Sequence, residues 1–147
     1  MDIPDDGQRL ADAASTMIGC PFRLFGRNPA TGLDCVGLLI ACLEAIGRNA
    51  VIPIGYGLRN SAIERWLGCA DRSGFLPADG KILPGDVLIT RPGPSQHHLM
   101  IVETPRAAIH AHAGLRRVVH EPIDFARECS AHWRLGNPDQ GPVSWQH

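Results

Sequence analysis

Cys35 lies where a turn meets an apolar helical pattern, in the segment GLDCVGLL at residues 32–39. A cysteine in the first turn of a helix is close to unpaired backbone N–H groups and to the positive end of the helix dipole. This position favours the thiolate, the form of cysteine that attacks a carbonyl carbon. Four histidines follow much later in the chain: His97, His98, His110 and His112. The combination predicts a hydrolase that uses a Cys–His pair.

The strand pattern around the histidines predicts which of them meet. Side chains alternate between the two faces of a strand, so His98 and Met100 share one face, and His110 and His112 share one face of the next strand. A hairpin between these strands brings His98 and His110 within reach of each other. If the Cys35 helix packs there, we expect His98 to be the general base and later the acid, and His110 to orient it.

Three other interpretations of the same residues stay open. A cysteine followed by apolar helical residues is often only a core residue. A His-X-His pair on a strand can bind zinc with Cys35 or His98 as a further ligand, although no carboxylate lies at a typical ligand spacing. If His97 faces the cysteine in place of His98, the strand register shifts by one and every face on that strand is reversed.

The surrounding pattern predicts an α+β protein in which helices precede the strands. Residues 8–18 have helical spacing, and Asp34 is suited to be the N-cap of a second, mostly buried helix that runs to Gly47. We expect a third helix near residues 60–67 and strands at 87–90, 98–103, 107–112, 117–120 and 131–135. Residues 1–136 are expected to form a single domain, and residues 137–147 a loosely ordered tail.

Composition excludes several classes of function. The chain has 147 residues, of which 44% are hydrophobic and 20% charged, with a formal net charge of −1. This balance gives no reason to expect binding to nucleic acid or to an anionic membrane. The five cysteines are an odd number without a CxxC pair, which argues against a disulfide framework. We find no signal peptide and no transmembrane run, so we expect synthesis in the cytoplasm.

Five ordered blocks of sequence resemble the NlpC/P60 cysteine peptidases. They are GCPFRLFG at 19–26, LDCVGL at 33–38, PGDVL at 84–88, HLMIV at 98–102 and IHA at 109–111. The resemblance implies a papain-like α+β fold, with N-terminal helices packed on a C-terminal antiparallel sheet. It also implies cleavage of peptidoglycan stem peptides, typically between D-glutamate and meso-diaminopimelate, without a cofactor or a metal. By motif position Cys35 is the nucleophile, His98 the general base and His110 the third, orienting residue.

Within the family, the chain most resembles a subgroup of cell-wall peptidases that are encoded beside phage tail genes and in gene transfer agents. The resemblance lies in its compact length and in the expected absence of an export signal and of cell-wall-binding repeats. This resemblance implies phage-like tail or baseplate proteins as partners. It also implies a protein that is carried on a particle and acts in the periplasm of a target cell. The alternative from another class is a catalytically impaired structural or targeting component of a tail tip. A thiol acyltransferase on the same fold is a third option.

Three positions depart from the family pattern. Phe22 replaces a common tyrosine, Val36 follows the cysteine where serine is frequent, and Met100 replaces a small glycine. Loss of the tyrosine hydroxyl removes a hydrogen-bond donor near the nucleophile. The residues expected near the substrate are Phe22, Asp34, Val36, His97 and His112.

Overall fold

The computed structural model describes residues 5–50, 70, 72–93, 96–122 and 129–136. Its two longer helices are α1 (Asp6–Thr16) and α2 (Cys35–Ala45). Its strands are β1 (Arg27–Asn28), β2 (Gly32–Leu33), β3 (Phe75–Pro77), β4 (Val87–Gly93), β5 (Gln96–Thr104), β6 (Ala107–His112), β7 (Arg117–Pro122) and β8 (Cys129–Leu135). The predicted third helix at 60–67 and the predicted tail at 137–147 lie outside the described residues.

The helix α2 is buried along most of its length because nearly every one of its side chains is apolar. All residues from Val36 to Leu43 are buried. Asp34 caps its N-terminus, as the sequence predicts, with extended backbone angles and a side chain that accepts a hydrogen bond from the Gly37 N–H. A helix that is apolar on all sides is typical of the centre of a fold, and α2 contacts both α1 and strands β5 and β6 of the sheet.

The sheet has six strands in the order β3-β8-β4-β5-β6-β7, and every neighbouring pair is antiparallel. One face carries Leu99, Ile101 and Ile109 into the core shared with the helices. The other face buries Met100 and Val102 in a smaller cluster. The expected α+β fold, with helices on an antiparallel sheet, is confirmed.

Some element bounds differ from the sequence-based expectations. The sequence predicts a loop at residues 92–95, but β4 continues to Gly93 and β5 begins at Gln96. The turn-forming residues at 26–32 predict a loop, where the structure has the short β1–β2 pair, and the sequence does not predict β3. With only two or three residues each, these strands are too short to show the run of alternating residues that marks a strand in sequence. Within the described residues, no helix combines the length and hydropathy that a membrane span needs.

The turn PGD at residues 84–86 joins α1 to the sheet. Gly85 has a φ of +86°, and a Cβ there would overlap the backbone of Gly7 in the first turn of α1. Asp86 is fully buried, and its carboxylate bonds to His132 Nε2 at 2.6 Å and to Arg134 Nε at 2.8 Å. The turn thereby connects the start of β4 to β8, its neighbour in the sheet.

Candidate active site

The N-terminus of α2 is held in place by the carboxylate of Asp34. Its Oδ1 accepts from the Gly37 N–H at 2.7 Å and from Arg27 Nη1 at 3.1 Å, and its Oδ2 accepts from the Phe25 N–H at 2.8 Å. Asp34 is only 2% exposed. One carboxylate therefore caps the helix and ties the preceding loop to it, which sets the direction in which residue 35 leaves the loop.

Glycines allow the loop to lie directly on the first turn of α2. A Cβ on Gly37 would overlap the carbonyl oxygen of Gly26, and a Cβ on Gly26 would overlap that of Gly32. Gly32 also has a φ of +143°, in a region that side chains other than hydrogen rarely allow. The glycine two places after Cys35 is thus required by close packing beside the candidate nucleophile.

The sulfur of Cys35 lies against the beginning of β5. The backbone N–H groups of Leu99, Val36 and Cys35 itself lie close enough to the sulfur to lower its pKa. Leu99 directly follows His98 in the chain, so the sulfur lies near the part of β5 that carries the histidine identified from sequence as the base. Cys35 keeps part of its surface exposed to solvent, whereas Cys42 in the same helix is buried.

The sequence-based expectation of a thiolate at Cys35 is wrong for the resting protein. Burial raises the pKa of Cys35 to about 12, and the nearby charge of Asp34 raises it further, while the three backbone N–H groups lower it. The increase in pKa from desolvation is larger than the decrease from the N–H groups, because the core as well as the helix encloses the thiol. The resting thiol is therefore protonated at neutral pH and needs a base to become a nucleophile.

Alkylation of Cys35 by iodoacetamide should accordingly keep accelerating with pH. Well below its pKa, the thiolate fraction of a thiol rises about tenfold per pH unit. We expect no plateau in the labelling rate between about pH 7 and pH 9, measured by mass spectrometry of the peptide that contains Cys35. Cys20, a half-buried thiol outside the site, provides the internal reference. A rate already constant at neutral pH would mean that the thiolate is preformed.

The two candidate histidines lie together. The ring centroids of His98 and His110 are 5.6 Å apart and the rings are tilted by 56°. The expectation that a hairpin brings them onto one face is confirmed, with Ile101 paired to Ile109 in the β5–β6 ladder. His98 is half-buried and His110 is only 2% exposed.

Sequence reasoning missed the partner of His110. Its Nε2 lies 2.6 Å from Oε1 of Glu121 on β7. Glu121 is paired with Ala108 across the β6–β7 ladder and so lies diagonally from His110. The alternation of side chains along β7 could have predicted this contact, because it places Glu121 and His110 on the same face of the sheet.

The surroundings of His110 favour its neutral imidazole form, because they lower its pKa below the ordinary value. Burial lowers the pKa of His110, as does the proximity of His112, and the carboxylate of Glu121 only partly offsets these effects. A neutral imidazole carries one N–H and one acceptor nitrogen, so His110 can orient a neighbour without adding a charge to the site.

Comparison with known proteins identifies the architecture. The sequence matches no family model and no curated protein. Among solved structures it is similar to NlpC1 from Trichomonas vaginalis, with 21% identity and a TM-score of 0.67 over 92% of this chain and 46% of that one. NlpC2 from the same organism is 19% identical, with a TM-score of 0.65 over 92% of this chain and 48% of that one. The chain therefore spans slightly less than half the length of these two proteins.

A third structure is that of a domain alone. The NlpC/p60 domain of the peptidoglycan hydrolase SagA is 20% identical, with a TM-score of 0.59 over 89% of this chain and 98% of that domain. This protein has the NlpC/P60 fold. In this fold α2 packs on the antiparallel sheet whose strands β5 and β6 carry the two histidines.

The remaining predicted site residues occupy different positions in the NlpC/P60 fold. His112 accepts from the Leu115 N–H through Nδ1 at 3.0 Å, and its ring lies 5.5 Å from that of His110. The side chain of His97 lies outside the described part of the structure. Phe22 is half-buried against the core, and Val36 is fully buried beside Ile40. Their roles, and that of Asp34, as substrate contacts stay predictions.

Met100 has a clear structural place in this version of the NlpC/P60 fold. It is 4% exposed and packs with Leu88, Val102 and Ala108 on the sheet face that also carries His98. Its bulk therefore fills space next to the histidine pair.

Two further features of the described residues lie apart from the cysteine and histidines. A cleft of about 710 Å³ is formed by the first turn of α1, the PGD turn and the end of β8, and it contains none of Cys35, His98 and His110. No three His, Cys, Asp or Glu side chains in the described part of the chain are arranged to hold a metal ion.

Proposed function

We propose that this protein is a cysteine endopeptidase that cleaves peptidoglycan stem peptides, at a bond of the D-glutamate–meso-diaminopimelate type. The supporting observation is the position of the Cys35 sulfur near the Leu99 N–H, one residue along β5 from His98. His98 in turn lies with its ring 5.6 Å from that of His110. These contacts support a mechanism with Cys35 as the nucleophile, His98 as the base and His110 as the orienting group.

The proposed reaction has two halves. The thiol proton of Cys35 moves to His98 as the sulfur attacks the scissile carbonyl carbon, and the backbone N–H groups at the start of α2 stabilise the oxyanion. The C–N bond then breaks, His98 protonates the departing amine, and a thioacyl-enzyme remains. Water attacks this thioester and gives a proton to His98; the C–S bond then breaks, and His98 returns the proton to the departing sulfur, which releases the acid and restores the thiol. No cofactor takes part in these steps.

The assignment of substrate rests on resemblance. The sequence blocks around Cys35, His98 and His110 resemble those of NlpC/P60 peptidases, and one protein with this fold is the peptidoglycan hydrolase SagA. From the sequence resemblance we further propose that the protein is carried on a phage-like tail or a gene transfer agent. In this setting it is made in the cytoplasm, assembled beside tail or baseplate proteins, and acts in the periplasm of a target cell.

A second candidate is a structural or targeting component of such a tail that retains the fold with impaired chemistry. The observation that favours it is the protonated thiol, since burial holds the pKa of Cys35 at about 12. Phe22, which lacks the hydroxyl group of tyrosine, points the same way.

A digest of purified diaminopimelate-type peptidoglycan separates these candidates. We expect mass spectrometry to find cleaved stem peptides with the wild-type protein and with Cys20→Ala, but none with Cys35→Ala. The masses identify the bond, and products joined to an added amine would identify acyl transfer. Cleavage that survives in Cys35→Ala contradicts the mechanism, and no cleavage by any well-folded variant favours the structural role.

A further inference from the structure

The carboxylate of Glu121 is the closest side-chain partner that the described residues offer to His110. Oε1 of Glu121 is 2.6 Å from Nε2 of His110, a short distance typical of a charge-assisted hydrogen bond. The histidine is almost completely buried, whereas the glutamate side chain on β7 is 43% exposed. The glutamate therefore reaches inward from the rim of the sheet to a ring that solvent does not contact.

This contact determines which nitrogen of His110 carries the proton. An ionised carboxylate only accepts hydrogen bonds, so the Nε2 facing it must be protonated. In the neutral ring Nδ1 is then a bare acceptor. The Nδ1 atom is buried and has no hydrogen-bond partner among the described residues. A buried acceptor without a donor is costly, which indicates a partner that arrives during function.

The ring of His98 can provide that donor. The centroid of its ring lies 5.6 Å from that of His110, so the two imidazoles are direct neighbours. When His98 takes the proton of Cys35, both of its nitrogens become donors. An acceptor on the neighbouring ring then stabilises and orients the imidazolium. His112 also lies 5.5 Å from His110, but its Nδ1 already holds the turn through Leu115.

We propose that Glu121 is a positioning residue that fixes His110 as the Nε2–H tautomer and so presents Nδ1 as an acceptor to His98. The catalytic consequence of this inference rests on the proposed function, but the tautomer of His110 can be measured without substrate. Without the carboxylate, the Nδ1–H tautomer becomes accessible, and it offers His98 a donor where an acceptor is needed. An orienting group in the wrong tautomer no longer supports the base.

The sheet contains a matched control. Glu103 on β5 pairs with His120 on β7 at 3.2 Å, and both side chains are partly exposed, at 29% and 39%. This pair has the same chemistry as Glu121 and His110 but lies outside the candidate site. Glu103 also accepts from Ser15 of α1 at 3.2 Å, so Glu103→Ala reports the loss of a Glu–His pair together with one contact to the helix.

The first measurement is the tautomer of His110 from long-range ¹H–¹⁵N spectra of histidine-labelled protein at neutral pH. We expect Nε2 protonated and Nδ1 bare in the wild type and in Glu103→Ala, and a mixture of tautomers in Glu121→Ala. Glu121→Gln retains an oxygen that can accept from Nε2 and should restore most of the wild-type tautomer. A His110 that remains entirely Nε2–H in Glu121→Ala overturns the proposal.

The second measurement is the cleavage of a defined stem peptide. Loss of an outer carboxylate that orients a functional histidine typically costs about 10-fold to 100-fold in activity. We expect Glu121→Ala to lose this much in kcat with little change in KM, with partial rescue in Glu121→Gln and none of the loss in Glu103→Ala. An unchanged kcat contradicts the proposal. A change confined to KM contradicts it as well. A wild type without peptidase activity refutes the proposed function, while the spectra still decide whether Glu121 sets the tautomer.

Discussion

His98→Ala is expected to reduce kcat/KM for a stem peptide by about 10⁴-fold or more, whereas His110→Ala should cost about 10²-fold. His98 is the group that takes the thiol proton. Attack by Cys35 depends on this base because burial raises the pKa of the thiol to about 12. His110 only orients this base, so its loss leaves the proton transfer possible in a fraction of ring positions. The rates are measured with a synthetic stem peptide at fixed pH.

The matched control is His120→Ala, which removes a partly exposed imidazole from the same sheet. Its activity should remain that of the wild type, and the thermal midpoint of each variant shows whether it is folded. Equal losses in the two site variants would mean that His110 itself exchanges protons. A larger loss for His110 would exchange the two roles, with His110 as the base.

Asp86→Ala is expected to destabilise the fold by about 3 kcal/mol, which is a large part of the stability of a domain of this size. The carboxylate is fully buried and bonds to His132, Arg134 and the Leu83 N–H. Removing one member of a buried charged network leaves its partners desolvated and unpaired. We expect a lower urea midpoint with an unchanged slope, followed by far-ultraviolet circular dichroism.

Arg134→Ala serves as the comparison, since the arginine side chain is 36% exposed and can be replaced in part by water. It should cost clearly less than Asp86→Ala. Residual folded Asp86→Ala should cleave normally, because Asp86 lies outside the cysteine and histidine cluster. Equal costs for the two variants would show that the salt bridge, and not the buried carboxylate, carries the stability.

Much of the candidate site could be predicted from sequence because it rests on local rules. Asp34 before an apolar run indicates an N-cap, and Cys35 follows in the first turn of the helix. The alternation of two adjacent strands was enough to bring His98 and His110 together, since a hairpin needs only neighbouring residues to form. Local periodicity and short loops thus determined the helix, the hairpin and the pairing of its histidines.

Only the tertiary structure decided the electrostatic state of these groups and their distant partners. The pKa of Cys35 depends on everything that excludes water from the sulfur, which no local pattern contains. Glu121 meets His110 through the register of a third strand, and Asp86 meets His132 because β8 lies beside β4, between it and β3. Sequence determines elements through short-range periodicity, whereas desolvation and long-range register are properties of the assembled sheet and core.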